Sequence, residues 1–302
     1  MGIRYWTMTR ILLCAWFPLL LAAWPIAASR AAEPVDLELV IATDVSYSID
    51  AEEARLQREG IIAAFRSPEV IGAIRGGALG RIAVAYIDFS SRPYNKVVID
   101  WQIIEDQASA YSFADRLAKA PATRGQSTSI SDALELAASL IDGNDLEGSR
   151  RVIDVSGDGP NNAGRRVDAV RDEVLAKRIT INGLPIINLA DQWNSRYFLA
   201  DLDRYYEGCV TGGAGSFVIV ASDFVDFARA IRQKLILEIA GLAPAPQPVR
   251  PKILRASAET ALRVSAATTL AQAGPTGPAY HQGCDIGERL RGSGGYFPGY
   301  QP

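Results

Sequence analysis

Histidine is almost missing from this chain. Among 302 residues there is one, His281, near the C-terminus and far from the other polar motifs. A zinc site built on imidazole rings needs more than one, and a Ser-His-Asp triad needs its one ring beside the nucleophile and not in the tail, so both are argued against. Cysteine is nearly as scarce: Cys14 falls in an N-terminal leader, which leaves Cys209 and Cys284. In an oxidising compartment those two could pair; the sequence leaves this open, because Cys284 lies in a stretch that reads as poorly ordered. A basic excess is missing as well, with 31 Lys and Arg against 34 Asp and Glu. Residues 1–31 carry three arginines and no acid, so without them the count is 28 against 34, a formal charge of −6. A mildly acidic protein is a poor fit to nucleic acid. Beyond the first thirty residues no run is long and apolar enough to span a membrane, and no internal repeat is visible.

What is present begins with that leader. Arg4 and Arg10 precede an apolar run from Ile11 to Ala28, and Ser29-Arg30-Ala31 puts small residues at the positions where a signal peptidase cuts. Residues 1–31 therefore read as a signal peptide, with an uncleaved anchor as the alternative. Leu13 before Cys14 argues against a lipid-anchored start. The expected location is periplasmic or secreted. The remaining composition, within a chain of 48% hydrophobic and 22% charged residues, is that of a globular protein with a full-sized core.

The most informative stretch is Leu37–Asp50. Its first half, Leu-Glu-Leu-Val-Ile-Ala-Thr, is apolar and β-branched, as in a strand buried on both faces of a parallel sheet. It then presents Asp44, Ser46 and Ser48 on alternate residues. Asp50, with Glu53 three residues on, reads as a capping box opening a helix. A carboxylate and two hydroxyls thus sit at the C-terminal end of a buried strand, where open α/β sheets bind ligands. Neutral and anionic oxygens together suit a hard divalent cation. Taken alone, Asp-x-Ser-x-Ser also fits ordinary turn and capping chemistry.

Along the rest of the chain strands and helices alternate. Helical periodicity covers Ala51–Arg66, Ala108–Lys119, Ser129 to about Ile141, Val167–Arg178, Ser195–Tyr206 and Asp223–Ala240. Extended runs cover Arg81–Phe89, Lys96–Trp101, Arg151–Ser156, Ile179–Ile187 and Ser216–Ala221. The short link through Pro93 makes Lys96–Trp101 an antiparallel hairpin partner at a sheet edge. The expected fold is α/β: a doubly wound, mostly parallel sheet with helices on both faces and one antiparallel edge strand. The domain spans 34–241. Residues 242–302 open with a Pro-Ala linker and turn Gly- and Pro-rich, and read as a largely disordered tail.

Two more loops carry oxygen ligands. Thr128 precedes the helix that begins near Ser129, and Asp158 follows the strand Arg151–Ser156. The doubly wound topology lets both loops open on the same sheet edge as Asp44. With Asp44-Val45-Ser46-Tyr47-Ser48, Thr128 ahead of Ala133-Leu134, and Gly157-Asp158-Gly159 in this order, the chain resembles a von Willebrand factor type A domain with a metal-ion-dependent adhesion site. Asp44–Glu53 and Tyr205–Phe217 resemble more narrowly secreted bacterial members of unknown function. The resemblance implies that Ser46, Ser48 and Thr128 ligate a cation through hydroxyls, and that Asp44 and Asp158 hold it directly or through water. It implies Mg²⁺ first, with Mn²⁺ or Ca²⁺ as alternatives, and a protein partner that offers a carboxylate to an open coordination position. One departure stands out: the family often has Thr-Asp-Gly where this chain has Gly157-Asp158-Gly159.

Rival chemistry is thinner. Asp88, Asp100 and Asp154 lie in or beside strands and read as structural acceptors before they read as a hydrolytic set; Asp154, inside an apolar strand, is the oddest. Gly212-Gly213-Ala214-Gly215 precedes a strand instead of joining a strand to a helix, and reads as a turn. The expectation is a non-enzymatic, cation-dependent binding module. A metal-dependent hydrolase of phosphate or ester groups and a structural envelope protein are the alternatives.

Overall fold

The computed structural model describes residues 1–2, 32–189, 195, 197–242 and 279–292. The chain divides into two compact units, Met1–Ala31 and Ala32–Pro302. The signal-peptide reading falls almost wholly outside the described residues, and the second unit is the one described below.

Five strands form the central sheet: β2 (Leu37–Asp44), β3 (Ile82–Phe89), β4 (Lys96–Ile104), β6 (Arg151–Gly157) and β7 (Thr180–Pro185), in the order β4-β3-β2-β6-β7. All pairs are parallel except β3–β4, so β4 is the antiparallel edge strand that the hairpin pattern predicts. All eight residues of β2 are buried, as its unbroken apolar run requires at the centre of a covered sheet. A separate parallel pair, β1 (Glu33–Val35) with β5 (Leu146–Gly148), lies at the opposite end of β2 from Asp44.

Helices cover both faces. On one side α1 (Ala51–Phe65), α2 (Pro68–Arg75), α3 (Gln107–Lys119) and α7 (Phe227–Ala240) bury Ile61, Phe65, Val70, Phe113, Phe227 and Leu235 against Leu39, Ile41 and Val84. On the other, α4 (Ile130–Asp142) and α5 (Val167–Ala176) bury Leu134, Ala137, Val170 and Val174 against Val40, Ala42, Ile153 and Val155. Strand residues alternate between these two cores because successive side chains point to opposite faces. The Asp50–Glu53 capping box forms as expected: Asp50 Oδ1 accepts from the amides of Glu52 (2.8 Å) and Glu53 (2.9 Å), and the Asp50 amide donates to Glu53 Oε2 (2.9 Å).

The structure departs from the sequence reading in several places. Just past the helix expected over Ala51–Arg66, Pro68 begins a second one, α2; Ser67 caps it by accepting from the Val70 amide (3.3 Å), and proline is well placed in a first turn. In place of a helix over Ser195–Tyr206 there is a short α6 (Leu202–Tyr205) that passes into a π-helical turn, Tyr206–Val210. Ser216–Ala221 runs beside β7 through isolated bridges at Val218 and Ala221. The Phe217 amide turns aside to Asn182 Oδ1 (3.0 Å), which interrupts a regular ladder.

The largest difference concerns the C-terminal stretch. Within the segment read as a largely disordered tail, residues 279–292 fold onto the domain and end in α8 (Ile286–Gly292). Tyr280, Ile286 and Leu290 are buried in the core on the α4–α5 side, and Cys284 forms a disulfide with Cys209. Three apolar anchors and one covalent tie offset the ordering entropy that composition alone does not reveal. Residues 243–278 and 293–302 lie outside the described residues.

Asp154, the acid inside an apolar strand, is explained by α7. Its carboxylate lies 2.6 Å from Nζ of Lys234, a lysine with no exposed side chain, which also pairs with Glu238. Asn182 Nδ2 donates to Glu238 Oε1 (2.8 Å). Asp88 is likewise committed, to Arg58 (3.0 Å), and Asp100 is exposed.

Candidate metal centre

The parallel register brings the C-terminal ends of β2, β3 and β6 to one edge, and three loops meet there. The first follows β2. Asp44 is fully buried, and its Oδ1 accepts from the Ser46 amide (2.8 Å), an Asx-type turn that swings the chain across the top of the sheet. This turn places Ser46 inward and leaves Tyr47 and Ser48 exposed.

The second loop precedes α4 and is zipped to the first by backbone hydrogen bonds, Gly125 N to Val45 O (2.8 Å) and Tyr47 N to Gln126 O (3.1 Å). It delivers Thr128, whose Oγ1 donates to Ser46 Oγ at 3.1 Å. The third loop follows β6 and delivers Asp158. Ser48 Oγ donates to Asp158 Oδ1 at 2.9 Å, and the hydroxyls of Ser46 and Ser48 are 3.2 Å apart. All five residues singled out in the sequence, Asp44, Ser46, Ser48, Thr128 and Asp158, therefore lie together, linked hydroxyl to hydroxyl and hydroxyl to carboxylate.

The electrostatics of this cluster are unfavourable without a counter-charge. Burial, and then the charge of Asp158, push the Asp44 carboxyl well above its ordinary range; the hydrogen bonds from Ser46 offset part of this. Asp44 Oδ2 is buried with no hydrogen-bond partner among the described residues. A divalent cation among these oxygens would relieve both conditions. The donor set is two carboxylates and three hydroxyls with no nitrogen or sulfur, which fits a hard ion. Among the described residues no group of three or more His, Cys, Asp or Glu side chains could hold a metal; this set has two acids and would depend on its hydroxyls for the rest.

Several supporting residues escaped the sequence reading. Asn162 Oδ1 accepts from the Thr128 amide (3.0 Å) while the Asn162 amide donates to Thr128 O (2.9 Å), so the side chain and backbone of one asparagine grip the residue that carries the threonine hydroxyl. Asn161 Oδ1 accepts from the Ser131 amide (3.0 Å), and the Asn161 amide donates to Tyr205 Oη (3.1 Å). The dipeptide Asn161-Asn162 after Gly159-Pro160 is a local signal that could have been read as side chains bonding neighbouring backbone. Tyr206, whose phenol borders Asp44, carried no such signal.

A family described as protein of unknown function (DUF1194) matches residues 34–243. The chain belongs to this family. Among solved structures, the pilus adhesin SpaC from Lactobacillus rhamnosus GG is similar with a TM-score of 0.50 and 13% identity, over 70% of this chain and 31% of that one. Proximal thread matrix protein 1 from the mussel byssus, solved with a zinc-occupied MIDAS motif, has a TM-score of 0.48 at 15% identity, over 69% of this chain and 46% of that one. A von Willebrand factor type A protein from Catenulispora acidiphila has a TM-score of 0.45 at 13% identity, over 68% and 43%. The chain spans less than half the length of each of these proteins. At such identities the likeness is one of fold alone: a mostly parallel sheet with helices on both faces. No curated protein matches the chain.

Proposed function

We propose that this protein is a secreted or periplasmic binding module that holds a divalent cation and uses it to recognise a protein partner. The observation that carries this reading is the convergence of Asp44, Ser46, Ser48, Thr128 and Asp158 from three loops into one hydrogen-bonded set. With only two of the five donors anionic and three neutral hydroxyls, a bound dication stays electrophilic, so an external carboxylate gains by completing the shell. Mg²⁺ is the first choice on donor hardness, with Mn²⁺ or Ca²⁺ as alternatives.

The surroundings support a docking face. Tyr47, between two of the hydroxyl residues, is 72% exposed, and the Arg124 guanidinium lies 4.9 Å over its ring. Neighbouring guanidiniums are already paired: Arg92 with Asp132 and Glu135, Arg165 with Glu135 and Glu173, Arg166 with Asp168. Among the described residues Arg124 makes no ion pair, so it adds an available positive charge beside the cation. That combination favours an acidic segment of a partner. Binding, in preference to hydrolysis, is supported by the commitments of the other acids: Asp154 is paired with Lys234 and Asp88 with Arg58, while His281 is exposed near Asp201. Export is supported by the leader sequence and by the Cys209–Cys284 disulfide, a bond at home in oxidising compartments.

The test has two parts. Calorimetric titration with Mg²⁺ should give a one-site isotherm for the wild type and none for Asp44→Ala. Retention of envelope proteins on the immobilised chain should be lost with a chelator and restored by Mg²⁺. Turnover in a phosphatase and esterase panel that depends on Asp44 would replace this reading with the hydrolase one.

A further inference from the structure

The disulfide-anchored segment does more than cover apolar surface. It reaches the same loop that grips Thr128. Glu288 Oε1 accepts from Asn161 Nδ2 (2.8 Å), and Arg291 Nη1 donates to Asn162 O (3.1 Å). Next to Glu288, Gly287 lies against the loop backbone: a Cβ there would come within 2.0 Å of Asn161 O, so only glycine permits this approach. Consecutive residues of one loop are thus held from α8 by an acid and a guanidinium, and the two asparagines pass the constraint on. Asn162 fixes the backbone of Thr128 on both sides of its peptide unit, and Asn161 fixes the first turn of α4 through Ser131. The base of the segment is tied to the π-helical turn through Cys284–Cys209, and Tyr205, just before that turn, accepts from the Asn161 amide.

We infer that the C-terminal segment is a working part of the cation site: Glu288 and Arg291 are positioning residues that hold the Asn161–Asn162 loop, and through it Thr128, where the hydroxyl can ligate the ion. This rests on the cation-binding reading above. The physical reason is the openness of the loop. Between Asp158 and α5 the chain has no regular secondary structure, and hydrogen bonds from outside set its geometry. Partners that orient a ligand are energetically part of a metal site although they never touch the ion.

The test uses the full chain with Mg²⁺ and, in parallel, Mn²⁺ as probes. Affinity is measured by calorimetry for wild type, Glu288→Ala, Glu288→Gln, Arg291→Ala and Arg289→Ala. Glu288→Ala and Arg291→Ala should each bind about three- to tenfold more weakly, the range expected for residues coupled to a site through a packed network. Glu288→Gln should rescue, because its amide oxygen can accept from Asn161 as the carboxylate does. Arg289→Ala should match wild type, since Arg289 bonds within its own segment, to Asp285 and Gln282. Hydrogen exchange on the metal-free chain supplies a second readout: the amides of Thr128 and Ser131 should exchange faster in Glu288→Ala and not in Arg289→Ala. A Cys209→Ser/Cys284→Ser variant should reproduce both losses. Wild-type binding with unchanged affinity and exchange in Glu288→Ala and Arg291→Ala would overturn the positioning role and leave the cation site standing. No binding of either ion by the wild type would overturn both.

Discussion

Tyr206 Oη and the Asp44 carboxylate border a single point above Gly157: a Cβ on that glycine would lie 3.1 Å from the phenol oxygen and 3.0 Å from Asp44 Oδ2. The phenol comes from the π-helical turn, and a side chain at position 157 would require it or Asp44 to give way by a few tenths of an ångström. Burial, and then the charge of Asp44, hold the Tyr206 phenol protonated far above neutral pH.

Gly157→Ala should therefore destabilise the domain by about 1–3 kcal/mol, as overpacking of a close-packed site does, and should reduce the Mg²⁺-induced thermal shift by displacing Asp44. Tyr206→Phe removes a hydroxyl that has no hydrogen-bond partner among the described residues, so it should change stability little. The two substitutions should couple, with Gly157→Ala better tolerated beside Tyr206→Phe. Urea melts of the four proteins in the cycle measure this; strict additivity would mean that Tyr206 is not what excludes a side chain at 157.

The ligand residues should separate by charge. At Mg²⁺ a hundredfold above its dissociation constant, the wild type should gain about 2.7 kcal/mol by mass action. Asp44→Ala and Asp158→Ala should gain almost nothing, and Thr128→Ala should keep a smaller gain, because a lost neutral donor can be replaced by water. In the absence of metal the two Asp variants should melt at or above the wild-type temperature, since Asp44→Ala removes a carboxyl disfavoured by burial and then by Asp158, and Asp158→Ala removes the second of those causes. Equal Mg²⁺ shifts across wild type and both Asp variants would falsify the single-site reading.

Stability should also depend on pH through the buried ion cluster of Asp154, Lys234 and Glu238. Burial, and then the charge of Asp154, push the Glu238 carboxyl up to about 7 from an ordinary 4.5. An acid whose folded pKa is raised takes up protons on folding between those two values, so its contribution is intact below about 4.5 and is lost as pH rises through 7. Glu238→Gln keeps an acceptor for Asn182 and Lys234 and cannot ionise. Relative to wild type it should gain stability between pH 5 and pH 8 in urea melts; a constant difference across that range would show that Glu238 is not what titrates.

Arg124 and Tyr47 test the docking face apart from the ion. Neither Arg124→Ala nor Tyr47→Ala should alter the Mg²⁺ thermal shift by more than a degree or so, because neither side chain is among the proposed ligands. Both should weaken chelator-sensitive retention of envelope proteins, by about tenfold if the pair sits centrally in the contact. Loss of Mg²⁺ binding in Arg124→Ala would mean that it supports the site and not the partner.

The sequence by itself determined the sheet and the five oxygen-bearing residues. Buried parallel strands are written as unbroken apolar runs, and the end of such a run marks the carboxyl edge, so Asp44 and Asp158 announce their place locally. Spacing within one turn ties Ser46 and Ser48 to Asp44, and the capping box at Asp50 marks where that loop must end. What only the tertiary structure decided depends on contacts between distant segments. The Pro- and Gly-rich composition before Cys284 hides an anchor, because Tyr280, Ile286 and Leu290 bury their apolar surface in the core on the α4–α5 side, with Tyr280 against Tyr205. The space above Gly157 is set by a phenol 49 positions further along the chain. Asp154 looks unsupported in its strand until α7 brings Lys234 against it. Local pattern records which face of an element is apolar; which side chain meets it from across the fold is settled only when the layers pack.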